Sequence, residues 1–419
     1  MKPRKPLQLD GRTGEGGGQL VRLACALAAV TSQPIRIDHV RGNREGHRGG
    51  GLKAQHVSAI QWLVEATNAE VDGLAVGSRT LEFRPSAPPT ALQGRNIEIV
   101  TGSASSTLLV FQAIFPFLLF SGNESGDPVE VEIHGGTNVS FSLSYEYFDQ
   151  VLLPTLQETF GIIVERQLKQ RAWSVGPLGK GAIWFKFQPL PPGKTLKPQE
   201  PRGKHLTAKD FELKRIDISM LVPQALRESL QETLVRDLDK LFPNVGIDFV
   251  LTEESGHDAR MYTLLVAHSV TGLRWGHDYL YDRSRKKKEP ETLSSEISRK
   301  VCKGLFEEIN VRGIVDEHLQ DQLVVFQALA EGRTSFPRDI ELADIDIEGG
   351  VASDIGDLDA SMKSLTLETR MKKDKTHEPF GAGSTHTTTA RWVASELLPT
   401  SVWFNKGSVC DGSAVSFTR

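Results

Sequence analysis

Residues 9–27, LDGRTGEGGGQLVRLACAL, place a cluster of glycines between a short apolar segment and an apolar, helix-like pattern. The pattern predicts a strand at Leu7–Leu9, a helix over Leu20–Val30 and a second strand at Pro34–His39. Consecutive glycines let backbone N–H groups approach a phosphate, and the N-terminus of the following helix adds a favourable potential. The stretch therefore predicts a phosphate-binding turn. A tight turn that only needs glycine geometry is the simpler alternative.

This turn differs from the two most familiar phosphate loops. Gln19 stands where the dinucleotide pattern would have its third glycine, and no Gly-Lys-Ser/Thr follows as in a Walker loop. A turn alone does not need Glu15, whose carboxylate can hold a divalent cation beside phosphates. Guanidinium groups suit phosphate oxygens, and several follow this loop. They are Arg22, Arg41, Arg44 and Arg48, with Gln55 just beyond them.

The order of small-residue turn, helix and strand recurs twice further along the chain. The turn TGSAS at residues 101–105 and the turn GGT at residues 135–137 each precede a helical pattern and then a strand pattern. The predicted helices lie around Leu108–Phe115 and Tyr145–Phe160, and the predicted strands at Val129–Ile133 and Ile162–Gln167. Three such rounds indicate a repeated α/β unit.

The second half of the chain has a different composition. Pro189–Arg202 is rich in Pro, Lys and Gly and is typical of a linker. A self-contained α/β segment follows it, with helices predicted at Gln224–Leu241 and Ser294–Ile309. Residues 334–383 have few aromatic side chains, with acidic residues first and basic residues later, which predicts a surface insertion.

Length, charge and cysteine content restrict the class of protein. With 419 residues, the chain is too long for one ordinary core. The longest apolar run, Leu108–Phe120, is too short for a bilayer, so we expect no membrane association. Three scattered cysteines form neither a disulfide framework nor a metal cluster, which favours an intracellular protein. The net charge of −4, with ten Lys/Arg against four Asp/Glu in residues 1–60, suits recognition of a few phosphates.

Two later helices carry polar side chains of interest. His318 opens an amphipathic helix on which Asp321 and Gln322 lie largely off the apolar stripe. His386 lies at or just before the start of another amphipathic helix, where the dipole disfavours imidazolium and attracts phosphate. Ordinary polar decoration and a histidine cap are the plainer interpretations of these two helices.

Taken in order, these segments resemble the RNA 3′-terminal phosphate cyclase family. The similar segments are Leu9–Leu27, Val40–Ile60, Thr101–Pro116, His134–Asn138, Val315–Ala330 and Ser384–Ala390. The resemblance implies an α/β (α+β) fold with a large domain of three repeated units, each a four-stranded sheet with two helices. That domain would comprise residues 1–190 and 295–419, carry the insertion 334–383, and be interrupted by a smaller α/β domain at residues 191–294.

The resemblance also implies an activity. Members of the family are ligase-class enzymes that use ATP, with Mg²⁺ or Mn²⁺, to convert an RNA 3′-phosphate into a 2′,3′-cyclic phosphate. A histidine attacks the α-phosphorus of ATP, and the AMP then passes to the RNA 3′-phosphate. The neighbouring 2′-hydroxyl expels AMP, which makes RNA rather than DNA the expected substrate.

Site residues follow from the same resemblance. His386 matches the adenylated histidine, and Glu15 matches a carboxylate that binds the metal and lies at the ATP site. Arg22, Arg41 and Arg44 match positions expected around the phosphates. The expected nucleotide-binding residues are Gly16, Gly17, Gly18, Gln19, Gln55, Gln112, His318, Asp321 and Gln322.

Two other classes share part of this pattern. Non-catalytic cyclase-like scaffolds act in ribosomal RNA processing, but such a protein would be expected to lose the glycine loop and the histidine. Enolpyruvyl transferases have a similar repeat without adenylation motifs. The resemblance to eukaryotic members, with the basic run RSRKKK at residues 283–288, predicts residence in the nucleus. No obligate protein partner is expected.

Overall fold

The computed structural model describes residues 5–44, 49–101, 105–199, 206–281, 289–338 and 371–418. Within these residues the protein has a mixed α/β fold with three four-stranded sheets and one three-stranded sheet. Arg48 and the basic run at 283–288 lie outside the described residues, as does most of the predicted insertion. No helix in the described part of the chain is long and apolar enough to cross a membrane.

The first repeated unit begins at the glycine-rich stretch. Its elements are β1 (Leu7–Asp10), α1 (Gly18–Thr31), β2 (Ile35–Asp38), α2 (Ala54–Thr67), β3 (Glu70–Asp72) and β4 (Leu81–Arg84). The sheet has the order β1-β2-β4-β3, with β1 and β2 parallel and the other pairs antiparallel. Alternate residues such as Ile35 and Ile37 are buried, as the strand period requires.

The second unit follows the same path. Its elements are β5 (Asn96–Val100), α3 (Thr107–Leu119), β6 (Val129–Gly135), α4 (Tyr145–Tyr147), a π-helical turn (Phe148–Leu152), α5 (Leu153–Phe160), β7 (Val164–Gln170) and β8 (Gly181–Phe187). The order β5-β6-β8-β7 reproduces that of the first sheet. The predicted α/β repeat is therefore confirmed.

A third sheet interrupts the repeats. Its elements are β9 (Leu213–Val222), α6 (Gln224–Leu241), β10 (Gly246–Glu254), β11 (Tyr262–Ser269), β12 (Arg274–Leu280) and α7 (Pro290–Asn310). The order β10-β9-β11-β12 differs from that of the repeats. These strands lie within the predicted insert at residues 191–294, while α7 continues beyond it. The division into domains stays a prediction.

The last unit comprises α8 (Glu317–Leu329), β13 (Arg333–Ser335), α9 (Thr385–Leu397), β14 (Val402–Phe404) and β15 (Val409–Asp411). Its order β13-β15-β14 matches β2-β4-β3 of the first unit. The described residues of this sheet form three strands instead of the expected four. The segment before α8 forms no strand. It contacts the residues just beyond β13 through a backbone hydrogen bond from Ile314 N to Pro337 O at 3.1 Å.

The predicted insertion at residues 334–383 is shorter than expected at both ends. Thr334 lies in β13 and is buried, and Phe336 just beyond it is buried as well. Phe380 is also buried and contacts Trp403 of β14. These side chains belong to the packed third unit because its small sheet would otherwise leave apolar surface exposed.

The helices of the three units pack together on the inner side of the sheets. α1 contacts α2, α3 and α9, and α9 contacts α8. Because α1 is covered by its own sheet and by these neighbours, most of its side chains are apolar and buried. This packing brings the first turns of α1, α8 and α9 together, where Gln19, Asp321 and His386 lie.

Candidate active site

A cleft of about 670 Å³ opens where the first turns of α1, α8 and α9 meet. Twelve of the fourteen predicted site residues line it. They are Glu15, Gly18, Gln19, Arg22, Arg41, Arg44, Gln55, Gln112, His318, Asp321, Gln322 and His386. Gly16 and Gly17 do not line the cleft themselves but belong to the glycine loop, between two residues that do.

The glycine loop is docked directly on the helix that carries the histidine. Gly14 and Gly16 have positive φ values of 62° and 59°, which disfavour a side chain. A Cβ on Gly14 would lie 2.1 Å from Thr389 Oγ1 of α9, so the two segments touch. The backbone N–H of Glu15 donates to the same hydroxyl at 2.9 Å. The loop and His386 are therefore fixed relative to each other.

His386 is the end of a hydrogen-bonded chain that joins three helices. Asp321 Oδ2 accepts from Gln19 Nε2 at 2.6 Å, and Asp321 Oδ1 accepts from Gln322 Nε2 at 2.8 Å. The Gln19 amide is thereby oriented with its oxygen toward His386, and Gln19 Oε1 lies 3.1 Å from His386 Nδ1. Nδ1 must then carry the proton, because an amide oxygen only accepts. Nε2 of His386 is left with a free lone pair.

Burial lowers the pKa of His386 below its ordinary value of 6.5. Asp321 opposes this shift, while Arg22 and Arg44 add to it. Burial likewise raises the pKa of Asp321, although its two amide donors favour the carboxylate. A neutral imidazole with an exposed lone pair is the form a histidine nucleophile requires.

A pH titration of the histidines follows from this arrangement. The pKa of His386 is depressed, so we expect its ring to stay neutral as the pH falls through 6.5 and to gain a proton only below that value. In Arg44→Gln the loss of a nearby cation raises this pKa and moves the titration to higher pH. NMR of histidine-labelled protein, assigned with His386→Ala, measures both. A His386 midpoint at or above 6.5 in the unmutated protein would contradict the geometry.

Arg22 and Arg41 make one side of the cleft strongly basic. Burial lowers the pKa of Arg22 to about 10, partly offset by Asp321, and burial also lowers the pKa of Arg41. The Arg22 guanidinium makes no hydrogen bond or ion pair with the described residues, whereas Arg41 Nη1 donates to Gly51 O at 3.2 Å. Guanidinium donors left free in a cleft are suited to bind phosphate oxygens.

His56, which follows Gln55 in the sequence but was not among the predicted site residues, also belongs to this basic side. Lys53 N donates to His56 Nδ1 at 3.0 Å, so Nε2 carries the proton. Burial, with the nearby cations Arg22, Arg41 and Lys53, holds the pKa of His56 well below its usual range. A Cβ on Gly18 would lie 2.7 Å from His56 Nε2, which places this neutral donor against the loop.

Glu15 and Arg44 form an ion pair at the mouth of the glycine loop. The Glu15 carboxylate is 8% exposed, and its Oε2 is buried without a hydrogen-bond partner among the described residues. The described residues contain no group of three His, Cys, Asp or Glu side chains that could hold a metal ion. Mg²⁺ bound beside phosphates needs only one or two protein carboxylates, with waters and phosphate oxygens completing its shell. The free oxygen of Glu15 fits that role.

The opposite side of the cleft is amide-rich and acidic. Gln112 Nε2 donates to Gln322 Oε1, which fixes both amides. Burial lowers the pKa of His318, but the surrounding carboxylates of Asp316, Asp278 and Asp321 outweigh it, so the pKa is raised overall. Asp278 of β12 also lines this side, as do Tyr147 and residues 139–143. None of these last residues carried a motif in the sequence.

The repeated α/β fold encloses a cleft in which His386 and several arginine side chains line the same cavity. The model of the RNA 3′-terminal phosphate cyclase family matches residues 13–348 of the sequence. This chain therefore belongs to the RNA 3′-terminal phosphate cyclase family. The family match ends before α9 and does not include His386. The assignment of His386 to the site therefore depends on the structure and on the resemblance of the Ser384–Ala390 segment.

Individual relatives agree with the family match. The chain is 31% identical over 330 residues to an RNA 3′-terminal phosphate cyclase of Pyrococcus furiosus, covering 78% of this chain and 86% of the relative. It is 29% identical over 341 residues to the Drosophila melanogaster protein of the same name, covering 80% and 86%. The corresponding Staphylothermus marinus protein is 32% identical over 337 residues, covering 78% and 86%.

Proposed function

We propose that this protein is an RNA 3′-terminal phosphate cyclase of the ligase class that uses ATP through a covalent AMP on His386. The observation that carries the proposal is the Asp321–Gln19–His386 chain beside the basic wall of the cleft. The family membership supports the overall reaction. The hydrogen-bonded chain that ends at His386 and the basic side of the cleft support the histidine chemistry.

In the first step His386 Nε2 attacks the α-phosphorus of ATP. A nitrogen–phosphorus bond forms, the bond to the β-phosphate oxygen breaks, and pyrophosphate leaves. The ring then gains positive charge, which Gln19 Oε1 and, behind it, the Asp321 carboxylate stabilise through Nδ1–H. Arg22, Arg41 and the Nε2–H of His56 take up the negative charge of the departing pyrophosphate.

A magnesium ion, when bound, would neutralise phosphate charge and polarise the reacting phosphoryl group. Glu15 Oε2 is the protein oxygen available to hold it. Arg44 already pairs with the other carboxylate oxygen and so keeps the side chain turned toward the loop.

The later steps transfer AMP from His386 to the RNA. An oxygen of the RNA 3′-phosphate attacks the AMP phosphorus, and His386 Nε2 departs as a good leaving group because its imidazole becomes neutral again. The 2′-hydroxyl then attacks the terminal RNA phosphorus, loses its proton, closes the five-membered ring and expels AMP. The ring closure, but not the transfer of AMP, requires a 2′-hydroxyl beside the 3′-phosphate.

The proposal predicts different products from two RNA ends. An oligoribonucleotide with a 3′-phosphate, incubated with ATP and Mg²⁺, should become phosphatase-resistant and end in a 2′,3′-cyclic phosphate. The same oligonucleotide with a 2′-deoxy terminal sugar should accept AMP and stop there, since nothing can close the ring. Gel mobility and mass spectrometry distinguish these products.

In the same experiment a non-catalytic scaffold would give a different result. Such a protein would bind RNA and leave both 3′-phosphate ends unchanged, with no AMP on protein or RNA. Cyclisation without ATP, or equal products from the two RNAs, would also contradict the proposed reaction. Residence in the nucleus stays a prediction, because the basic run behind it lies outside the described residues.

A further inference from the structure

Arg391 is a buried guanidinium in α9 that lies outside the cleft. It is only 1% exposed, and no described carboxylate is within ion-pair distance of it. Burial lowers its pKa to about 10, partly offset by Asp374. Burying a charge without a close partner opposes folding, and an apolar side chain of similar size would fill the same space without that penalty. The presence of arginine here needs a reason other than packing.

The guanidinium occupies a fitted cradle. A Cβ on Gly407 would lie 2.5 Å from Arg391 Cζ, and one on Gly381 would lie 2.7 Å from Nη1. The group also lies over the Trp403 ring, with Cζ 5.8 Å from the ring centroid. Backbone without side chains therefore closes on the guanidinium from two directions, and an aromatic face adds a cation–π contact.

The contact that Arg391 makes is to the turn that leads into the histidine. Arg391 Nη1 donates to Ala382 O at 2.6 Å. The backbone N–H of Ala382 donates to Lys406 O at 2.7 Å, so the Ala382 backbone is held through both its N–H and its C=O. The flanking glycines, Gly381 and Gly383, have φ values of 87° and 120° and supply no stiffness of their own.

The backbone between β14 and β15, which accepts the hydrogen bond from Ala382 N–H, is itself held by Asp374. Asp374 Oδ1 and Oδ2 accept from Lys406 N at 3.0 Å and Gly407 N at 2.6 Å. Beyond the turn, Ser384 caps α9 by accepting from Thr387 N at 3.1 Å. His386 is the second residue of α9, so the direction of its side chain depends on how residues 381–384 enter the helix.

We propose that Arg391 is a positioning residue that fixes the Ala382 backbone and thereby sets His386 Nε2 toward the cleft. This inference rests on the proposed histidine adenylation. In the proposed reaction the phosphates are bound by the first unit, through the glycine loop and Arg22, whereas Arg391 does not line the cleft. Loss of Arg391 should therefore slow transfer of AMP without weakening ATP binding.

The test compares Arg391→Met with Arg391→Lys and with Arg274→Met. Arg274, in the third sheet, is a second arginine with a largely covered side chain, 13% exposed, and it pairs with Glu158, so its variant controls for loss of a largely covered guanidinium. Three quantities are measured for each protein: thermal unfolding, equilibrium affinity for ATP, and the single-turnover rate of covalent AMP formation at saturating ATP. Hydrogen exchange of the peptide covering residues 381–387 reports on the turn without any reaction.

In Arg391→Met we expect ATP affinity within about threefold of the unmutated protein and AMP transfer slower by about 10- to 100-fold, as displacement of a reacting group by roughly an ångström produces. Exchange at residues 381–387 should rise. Arg391→Lys, which keeps one donor, should recover part of the rate, and Arg274→Met should keep it.

Folded Arg391→Met that transfers AMP at the unmutated rate, or keeps its exchange protection, overturns the positioning role. Parallel loss of affinity, rate and stability in both methionine variants also overturns it, because that result means a general structural effect. Failure of the unmutated protein to form any AMP adduct is a separate result that refutes the proposed function itself. The exchange experiment then still shows whether Arg391 orders the turn.

Discussion

His386→Ala is expected to remove covalent AMP labelling of the protein, with loss of cyclisation by about a thousandfold or more, because the substitution deletes the nucleophile. ATP binding should persist, since Glu15, Arg22 and Arg41 are untouched and lie on another part of the cleft wall. The measurement is labelling with α-labelled ATP and Mg²⁺ followed by acid and alkali treatment. A phosphoramidate on histidine is labile to acid and stable to alkali.

The matched control for this variant is His377→Ala. His377 is exposed and precedes α9, the helix that carries His386, but it does not line the cleft. Its removal should leave labelling unchanged. An adduct that persists in His386→Ala, or one whose label resists acid, would mean that another residue carries AMP.

Asp321→Asn is expected to reduce AMP transfer by about 10²- to 10⁴-fold while leaving the fold intact. The Asp321 carboxylate fixes the Gln19 amide with its NH₂ toward position 321. An asparagine can instead present its own NH₂, which lets the Gln19 amide turn over and donate to His386 Nδ1. The histidine proton would then move to Nε2, and the nucleophilic lone pair would be lost.

Asp149→Asn provides the control for replacing an aspartate outside the cleft. Asp149 pairs with Arg166 at the side of the second unit. Single-turnover rates of both variants at saturating ATP isolate the chemical step from binding. NMR of the histidine ring nitrogens shows the tautomer directly. Unchanged transfer in Asp321→Asn, or a ring that keeps its proton on Nδ1, would refute the role given to the chain of hydrogen bonds.

Local sequence signals were sufficient for some elements of the repeats, among them β1, α1 and β2, but did not indicate α2, β3 or β4. The glycine run and the apolar periods of α1 and α9 each depend on neighbours in the chain, and the structure has a helix at both predicted places. The resemblance then brought together residues that are far apart in sequence. Gln19 and Asp321, for example, are separated by 302 positions and share a hydrogen bond.

Other features depend on tertiary contacts that no local pattern contains. His56 is distinguished only by its burial beside Arg22 and Gly18, and Asp278 only by the edge of the cleft on which β12 ends. The ends of the predicted insertion are buried because Thr334 lies within the last sheet and Phe380 packs on Trp403 of the same sheet. The polar composition around these side chains predicts a surface segment, whereas their burial depends on tertiary packing that composition does not contain.

A pulse–chase experiment tests the central claim most directly. The protein is labelled with α-labelled ATP and Mg²⁺, freed of nucleotide, and then mixed with an RNA 3′-phosphate in the absence of ATP. The account predicts that the label maps to His386, leaves the protein when RNA is added, and appears as free AMP in a one-to-one ratio with new 2′,3′-cyclic ends. A stable label that RNA does not remove, or cyclic ends formed without loss of label, would contradict it.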